Sequence, residues 1–312
     1  MTHKIKITFA FCTYNRAARL EKLITAMRAQ TCSFPFEILA INNNSQDNTL
    51  EELQRLAIQS GAPLRFVTET VQGIVAARNR AIDEAMGSDI LIFIDDDEIP
   101  LPGLLEGACQ SILHDGADCV GGRVIVDFSD QKRPDWLSDD LLGFLAEVNH
   151  GDQDFWIKDE KTPIWTANVA YNMDIFTNNP EIRFDKRYDR IGNVIGGGSD
   201  LMLFKSLVNK GFKLRYCSNM AVLHSVEPWR LHRRYFLKLH FLSGYRTAFY
   251  ETLEYKQGIF GIPFYLFIQT FKQFYLSLTL LLKSKPYMRQ TMNFTHALGL
   301  MYGCFSRWKS AH

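Results

Sequence analysis

Apolar and polar residues alternate in blocks along the first hundred residues, and the sharpest block boundary falls at Ile90-Leu91-Ile92-Phe93-Ile94, which runs straight into Asp95-Asp96-Asp97. Five consecutive β-formers ended by charge predict a central strand covered on both faces. Alternation along a strand would turn Asp95 and Asp97 to one side and Asp96 to the other. The preceding blocks repeat a β-then-α pattern. Residues 5–12 predict a strand, Thr13-Tyr14-Asn15 a turn, and Ala17, Leu20, Leu23, Ile24 and Met27 a helix over 16–29. Pro35 precedes a strand over 36–41, Asp47 is placed to cap a helix over 49–59, and Gly61-Ala62-Pro63 leads to a strand over 64–67. Gly73 opens a helix over 74–86, which returns the chain to the strand before the aspartates. Four βα units predict an α/β fold with a mostly parallel central sheet flanked by helices. In such sheets ligands bind outside the carboxyl ends of the strands, where the polar loops gather.

Composition narrows the function classes. The 312 residues hold 35 Lys and Arg against 34 Asp and Glu, so no overall field argues for nucleic acid as a partner. Cys12, Cys32, Cys109, Cys119, Cys217 and Cys304 are scattered without a CxxC pair, which fits reduced thiols better than a disulfide framework or a zinc site. Lys4-Ile5-Lys6 leads directly into a strand pattern, with no signal peptide, so the expected compartment is cytoplasmic.

The succession Thr13-Tyr14-Asn15-Arg16, Ile41-Asn42-Asn43-Asn44-Ser45-Gln46-Asp47, Gly73-Ile74-Val75-Ala76-Ala77-Arg78-Asn79 and Phe93-Ile94-Asp95-Asp96-Asp97 resembles the nucleotide-binding half of a family 2, GT-A fold (Rossmann-like) glycosyltransferase. The resemblance covers residues 5–245. It implies that Thr13, Tyr14, Asn15 and Arg16 wrap the base and ribose of a sugar nucleotide. Asn42 stands where the family usually has Asp at the base edge, and Asn44 follows in the same loop; an amide there still suits a uracil or thymine. The resemblance makes Arg78 a cationic contact to the nucleotide, a role its guanidinium fork suits. It puts Asp95 toward the ribose and Asp97 on a divalent cation, Mn2+ or Mg2+, that bridges the diphosphate. Asp96 is either a supporting carboxylate or solvated.

Further along, a helix over 103–113 and a strand over 117–126 are expected. Gly121-Gly122 in that strand marks either a close approach of donor sugar or acceptor, as the family implies, or a bulge. Residues 128–162 are polar and broken and read as an acceptor-side loop. Residues 163–171 resemble the family's strand beneath the donor sugar, with Asn168 bonding sugar hydroxyls; Trp165 either stacks on an acceptor ring or fills core. In Ile195-Gly196-Gly197-Gly198-Ser199-Asp200 the family commonly has Gly-Glu-Asp, so Ser199 replaces the Glu while Asp200 is retained. The resemblance makes Asp200 the base for the acceptor hydroxyl, and as an N-cap it would do ordinary structural work. His224 is a candidate metal or diphosphate ligand, followed by a basic stretch, Arg230 to Arg234, that is either phosphate-binding or a solvated face.

Residues 259–282 are rich in Phe and Leu but carry Pro263, Gln269, Lys272 and Gln273, which argues against a spanning helix and for an amphipathic helix lying on a membrane surface, with Lys283, Lys285 and Arg289 toward anionic headgroups. Packing on the catalytic domain or a homodimer is the competing reading. The expected organisation is a catalytic domain over 1–245, with 1–100 as its nucleotide half and 101–245 as its acceptor and donor-sugar half, and a helical tail over 246–312. The resemblance implies an inverting, metal-dependent transferase that uses a nucleotide-diphosphate-sugar, UDP-sugar favoured, and a glycan or lipid-linked glycan acceptor in surface polysaccharide or lipopolysaccharide synthesis, on the inner face of the cell membrane. A non-catalytic nucleotide- or membrane-binding scaffold is the alternative. A nucleotidyltransferase is disfavoured, because its Gly-rich basic N-terminal loop is absent.

Overall fold

The computed structural model describes residues 4–189, 198–251 and 258–311, so Ile195, Gly196 and Gly197 of the glycine run lie outside the described residues. The chain divides into two compact units, one of residues up to 130 with 146–225, the other of 131–145 with residues from 226 onward.

Among the described residues the first unit holds a nine-stranded sheet whose strands, numbered along the chain, lie in the order third, second, first, fourth, eighth, sixth, ninth and fifth, with the seventh paired to the ninth. Strands β1 (Ile7–Thr13), β2 (Phe36–Asn42), β3 (Leu64–Thr68) and β4 (Ile90–Ile94) are mutually parallel. Helices α1 (Ala17–Arg28), α2 (Thr49–Ala57) and α3 (Ile74–Glu84) connect them. All seven residues of β1 and all five of β4 are buried, as continuous apolar runs in a covered parallel sheet should be. Helix α1 buries Leu20, Leu23, Ile24 and Met27, the stripe its periodicity predicts.

Beyond β4 the sheet is mixed. β8 (Asn168–Asn172) inserts antiparallel between β4 and β6 (Cys119–Asp127), and β9 (Leu214–Ser225) runs parallel to β6. Antiparallel to β9 lie β5 (Glu98–Pro100) and β7 (Phe155–Ile157). The β6–β9 register slips at Gly122/Arg123, which is a bulge. A Cβ on Gly121 would run into Ile164 and one on Gly122 into the Met220 carbonyl oxygen, so this pair serves close packing of protein on protein. Short helices α4 (Leu104–Cys109) and α5 (Asp174–Asn178) and the longer α6 (Ser199–Asn209) complete the unit.

The second unit is helical: α7 (Arg233–Arg246), α8 (Phe264–Leu282) and α9 (Met288–Ala311). Helices α7 and α9 approach backbone to backbone, since a Cβ on Gly299 would meet the Phe241 carbonyl oxygen and one on Gly303 that of Tyr245. Residues 139–145, within the broken segment, form a short 3-10 turn whose Phe144 ring packs on Phe236. Among the described residues, no helix is long and apolar enough to cross a membrane.

Candidate active site

The carboxyl ends of β1, β2 and β4 open on one pocket, lined by Cys12, Thr13, Tyr14, Arg16, Asn43, Gln72, Ile74, Asp95, Asp96 and Asp97. Its floor is held by hydrogen bonds between loops. Asn15, at φ 54°, donates its N–H to Ser45 Oγ at 3.0 Å and accepts from the N–H of Gln46 at 2.7 Å, which ties the β1 loop to the β2 loop. The Arg16 N–H reaches Thr49 Oγ1 at 3.0 Å, and Asp47 accepts the N–H of Thr49, the first residue of α2, also at 3.0 Å.

Asn42 is buried and accepts the Ser45 N–H at 3.1 Å; the pocket wall at this strand end is Asn43. The Asn43 amide oxygen accepts from the N–H of Gly73 at 2.9 Å and from Gln72 Nε2 at 3.1 Å, while its Nδ2 donates to the Val71 carbonyl at 2.8 Å. Gly73 begins α3 at φ 140°, where a Cβ would run into the Asp189 carboxylate, and that carboxylate accepts the Val75 N–H at 3.0 Å. Asn15, Asn42, Asn44 and Arg78 therefore stand behind the pocket lining, and Asn43, Gln72 and Ile74 form part of it.

Strand β4 ends at Ile94, so the aspartates lie in a turn and strand alternation does not apply to them. All three line the pocket, which corrects the expectation that Asp96 turns away. Asp95 accepts from Arg78 at 3.2 Å. Arg78 is itself buried, with its guanidinium 5.5 Å from the Phe184 ring centroid; burial opposes its charge, and Asp95 and Asp200 outweigh it. Asp96 accepts the Thr13 hydroxyl at 2.7 Å, and loss of water together with the adjacent Asp97 pushes its carboxyl up to about 7.

Asp97, Glu98 and His224 make a second cluster, whose ligand atoms lie within 4.8 Å of one another. The antiparallel pairing of β5 with β9 puts Glu98 directly opposite His224. His224 Nδ1 lies 3.0 Å from Glu98 Oε1 and 3.6 Å from Asp97 Oδ1. Glu98 is fully buried, and its Oε2 has no hydrogen-bond partner among the described residues. Burial pushes Glu98 up to about 8 against the pull of His224, whereas Asp97 and Glu98 overcome burial to hold His224 up at about 10. Two carboxylates and an imidazole crowded together are a donor set suited to a hard divalent cation, and the residues fit one. No local pattern in the chain marks Glu98 for this cluster, because the residue opposite it in the sheet, His224, is far along the chain.

The remaining candidates are structurally committed to different degrees. Asn168 pairs with Ile94 across β8 and β4, and its Nδ2 donates to the carbonyls of Arg123 and Met220, both at 3.0 Å, stitching the bulge; its Oδ1 has no partner among the described residues. Trp165 packs half-buried against the core. Ser199 is buried at the start of α6, and Asp200 in the first turn accepts the Leu201 N–H at 3.0 Å.

The model of a family described as "Glycosyl transferase family 2" matches residues 8–178. The glycosyltransferase AglE of Haloferax volcanii is 26% identical over 219 residues, covering 69% of this chain and 66% of its own length. The chain spans no more than about two thirds of the first curated relatives it matches. Among solved structures, the mannosyltransferase PcManGT of Pyrobaculum calidifontis, in complex with GDP-Man and Mn2+, superposes with a TM-score of 0.56 at 15% identity, over 99% of this chain and 74% of that one. S. aureus TarS 1-349 in complex with UDP gives 0.56 at 15%, over 99% and 92%. At that identity the likeness is one of fold, a mixed α/β sheet with flanking helices.

Proposed function

The chain belongs to glycosyl transferase family 2, and from that premise we propose that it moves a sugar from a nucleotide-diphosphate donor, UDP-sugar favoured, to a hydroxyl of a glycan or lipid-linked glycan, with inversion at the anomeric carbon. The observation that carries this reading is the convergence of Thr13, Tyr14, Arg16 and the three aspartates on one pocket, next to the Asp97, Glu98 and His224 cluster. The ligands named with the structural neighbours, GDP-Man and UDP-GlcNAc, support a nucleotide-sugar.

In this reading Thr13, Tyr14 and Arg16 seat the nucleoside, and Asp95, held by Arg78, faces the ribose. Asp97 and His224 would hold a divalent cation, which supplies Lewis-acid stabilisation of the charge on the leaving diphosphate. Asp200 takes the proton of the acceptor hydroxyl as that oxygen forms its bond to the anomeric carbon. The bond from that carbon to the phosphate oxygen breaks with its electron pair going to the diphosphate. Attack opposite the leaving group inverts the centre, with the Asp200 carboxylate as the general base. Asn168 and Ser199 contribute to the sugar side of the site. We assign the reaction to surface-glycan synthesis at the inner face of the cell membrane.

Calorimetric titration with UDP, dTDP, GDP and CMP, each with Mn2+ and with EDTA, tests the donor site. The expected result is metal-dependent binding of one diphosphate that is lost in Asp97→Ala. Binding of none overturns the transferase reading and favours a non-catalytic scaffold.

A further inference from the structure

Helix α8 is amphipathic in the inverted sense. Three of its polar side chains turn toward α9: Thr270 Oγ1 donates to Met301 Sδ at 3.2 Å, Ser277 and Thr291 share a hydrogen bond of 2.6 Å, and Gln290 Nε2 donates to Gln273 Oε1, while Gln269 and Lys272 are exposed. Apart from Leu266, which is buried, and Phe274, which packs on Phe294 of α9, most of its apolar side chains turn away from the protein. Phe264, Ile268, Phe271, Tyr275, Leu278 and Leu282 recur every three or four residues and are 58, 73, 71, 59, 40 and 75% exposed. A helix bathed in water does the reverse, burying its apolar stripe and wetting its polar one. A continuous stripe over five turns is also far larger than the scattered apolar residues of an ordinary surface. The arrangement is that of a helix whose outer surroundings are apolar, and α8 is not long and apolar enough to span a bilayer.

Charge selects the occupant. Residues 226–312 carry 12 Lys and Arg against three Asp and Glu, and residues 1–225 carry 23 against 31. After Glu254 there are seven basic residues and no acidic one. Lys272, Lys283 and Lys285 are exposed on or just past α8, and Arg289, exposed in the first turn of α9, stacks over the Phe144 ring. A second copy would bring the same positive charge against itself, whereas an anionic surface is complementary to it.

We propose that α8 is a lipid-docking element that lies in the interface of an anionic bilayer. The Phe264-to-Leu282 stripe enters the acyl boundary, Lys283, Lys285 and Arg289 meet headgroup phosphates, and Lys272 extends its ammonium to the same level along its own methylenes. The inference stands on α8 and its charge, independently of the transfer reaction.

Flotation of the full chain with vesicles of phosphatidylcholine alone, and of phosphatidylcholine with phosphatidylglycerol, tests it. The protein should float with the anionic vesicles, and less so as salt rises from about 0.1 to about 0.5 M. Ile268→Asp with Phe271→Asp should lower that partition at least about tenfold with the melting temperature and nucleotide binding unchanged. Lys283→Glu with Lys285→Glu should cut the anionic preference by about fivefold or more per site. Failure to float with either vesicle overturns the proposal. So does a dimer in sedimentation that the double Asp variant dissociates, without vesicle binding by the wild type, which would assign the stripe to a second copy. Donor titration on the same preparations keeps a failure here separate from a failure of the transferase reading.

Discussion

The sheet unit and the helical unit handle apolar surface in opposite ways. In the sheet unit β1 and β4 are wholly buried, and charge is concentrated at the strand ends, where Asp95, Asp96, Asp97 and Glu98 crowd together. In the helical unit α8 keeps Thr270, Gln273 and Ser277 inward and exposes Phe and Leu. One rule serves both: each surface matches the medium it meets. The ligand proposed at one edge of the sheet unit is polar and the surface proposed against α8 is a lipid one, each matched to the pattern it would meet. Crowded carboxylates and outward-facing apolar side chains are both costly in water, and a bound partner would relieve either.

The largest effects are expected at the carboxylates of the proposed reaction. Asp200→Asn should lower kcat by roughly 10²–10⁴ while leaving donor affinity intact, read by single-turnover kinetics beside calorimetry; an unchanged kcat would return Asp200 to the role of a helix-end carboxylate. Asp97→Ala should cost roughly 10²–10³ in kcat and also abolish cation-dependent donor binding, which separates it from Asp200. On the other side of the comparison, the α8 double Asp variant should lose vesicle binding about tenfold and keep full turnover on a water-soluble acceptor. Equal loss of both would mean that the two units are not separable in function.

Proton linkage sharpens the contrast further. The Asp96 carboxyl is raised from 3.8 to about 7 in the fold, so its contribution to stability is complete below about 4 and is lost as pH rises through about 7. Glu98 acts in the same direction up to about 8. In EDTA the melting temperature of wild type should therefore fall by a few degrees across pH 5–8, with a flatter profile in Asp96→Asn. Added Mn2+ should stabilise more at pH 8 than at pH 6, because it displaces those protons; a pH-independent Mn2+ effect would place the cation elsewhere. The smallest effect is purely structural. Gly122→Ala should destabilise the bulged β6 by about 1–3 kcal/mol in urea unfolding, because the new Cβ meets the Met220 carbonyl oxygen.

The first seven elements were legible in the chain because each depends on neighbours in sequence. A buried apolar run, a helical stripe such as Leu20, Leu23, Ile24 and Met27, and a carboxylate near a helix start are local signals. The loops they present were legible for the same reason. What escaped was long-range. Asn43 rather than Asn42 reaches the pocket because the Gly73 N–H and the Val71 carbonyl claim its amide. Asp96 stays at the pocket because Thr13 holds it there. The glycine pair of β6 offered two readings, and Ile164 and Met220, packed where side chains would go, decide for the bulge.

By itself the sequence determined that the chain opens with βα units, that polar loops gather at one sheet edge, and that three carboxylates end its central strand, because hydrophobic periodicity and turn chemistry act over a few residues. Only the tertiary structure decided that Glu98 faces His224 across β5 and β9, and that α8 turns Thr270, Gln273 and Ser277 to α9 and the stripe from Phe264 to Leu282 out. Strand register and the choice of a buried helix face are settled by contacts between segments far apart in the chain, where each segment's own pattern allows more than one partner.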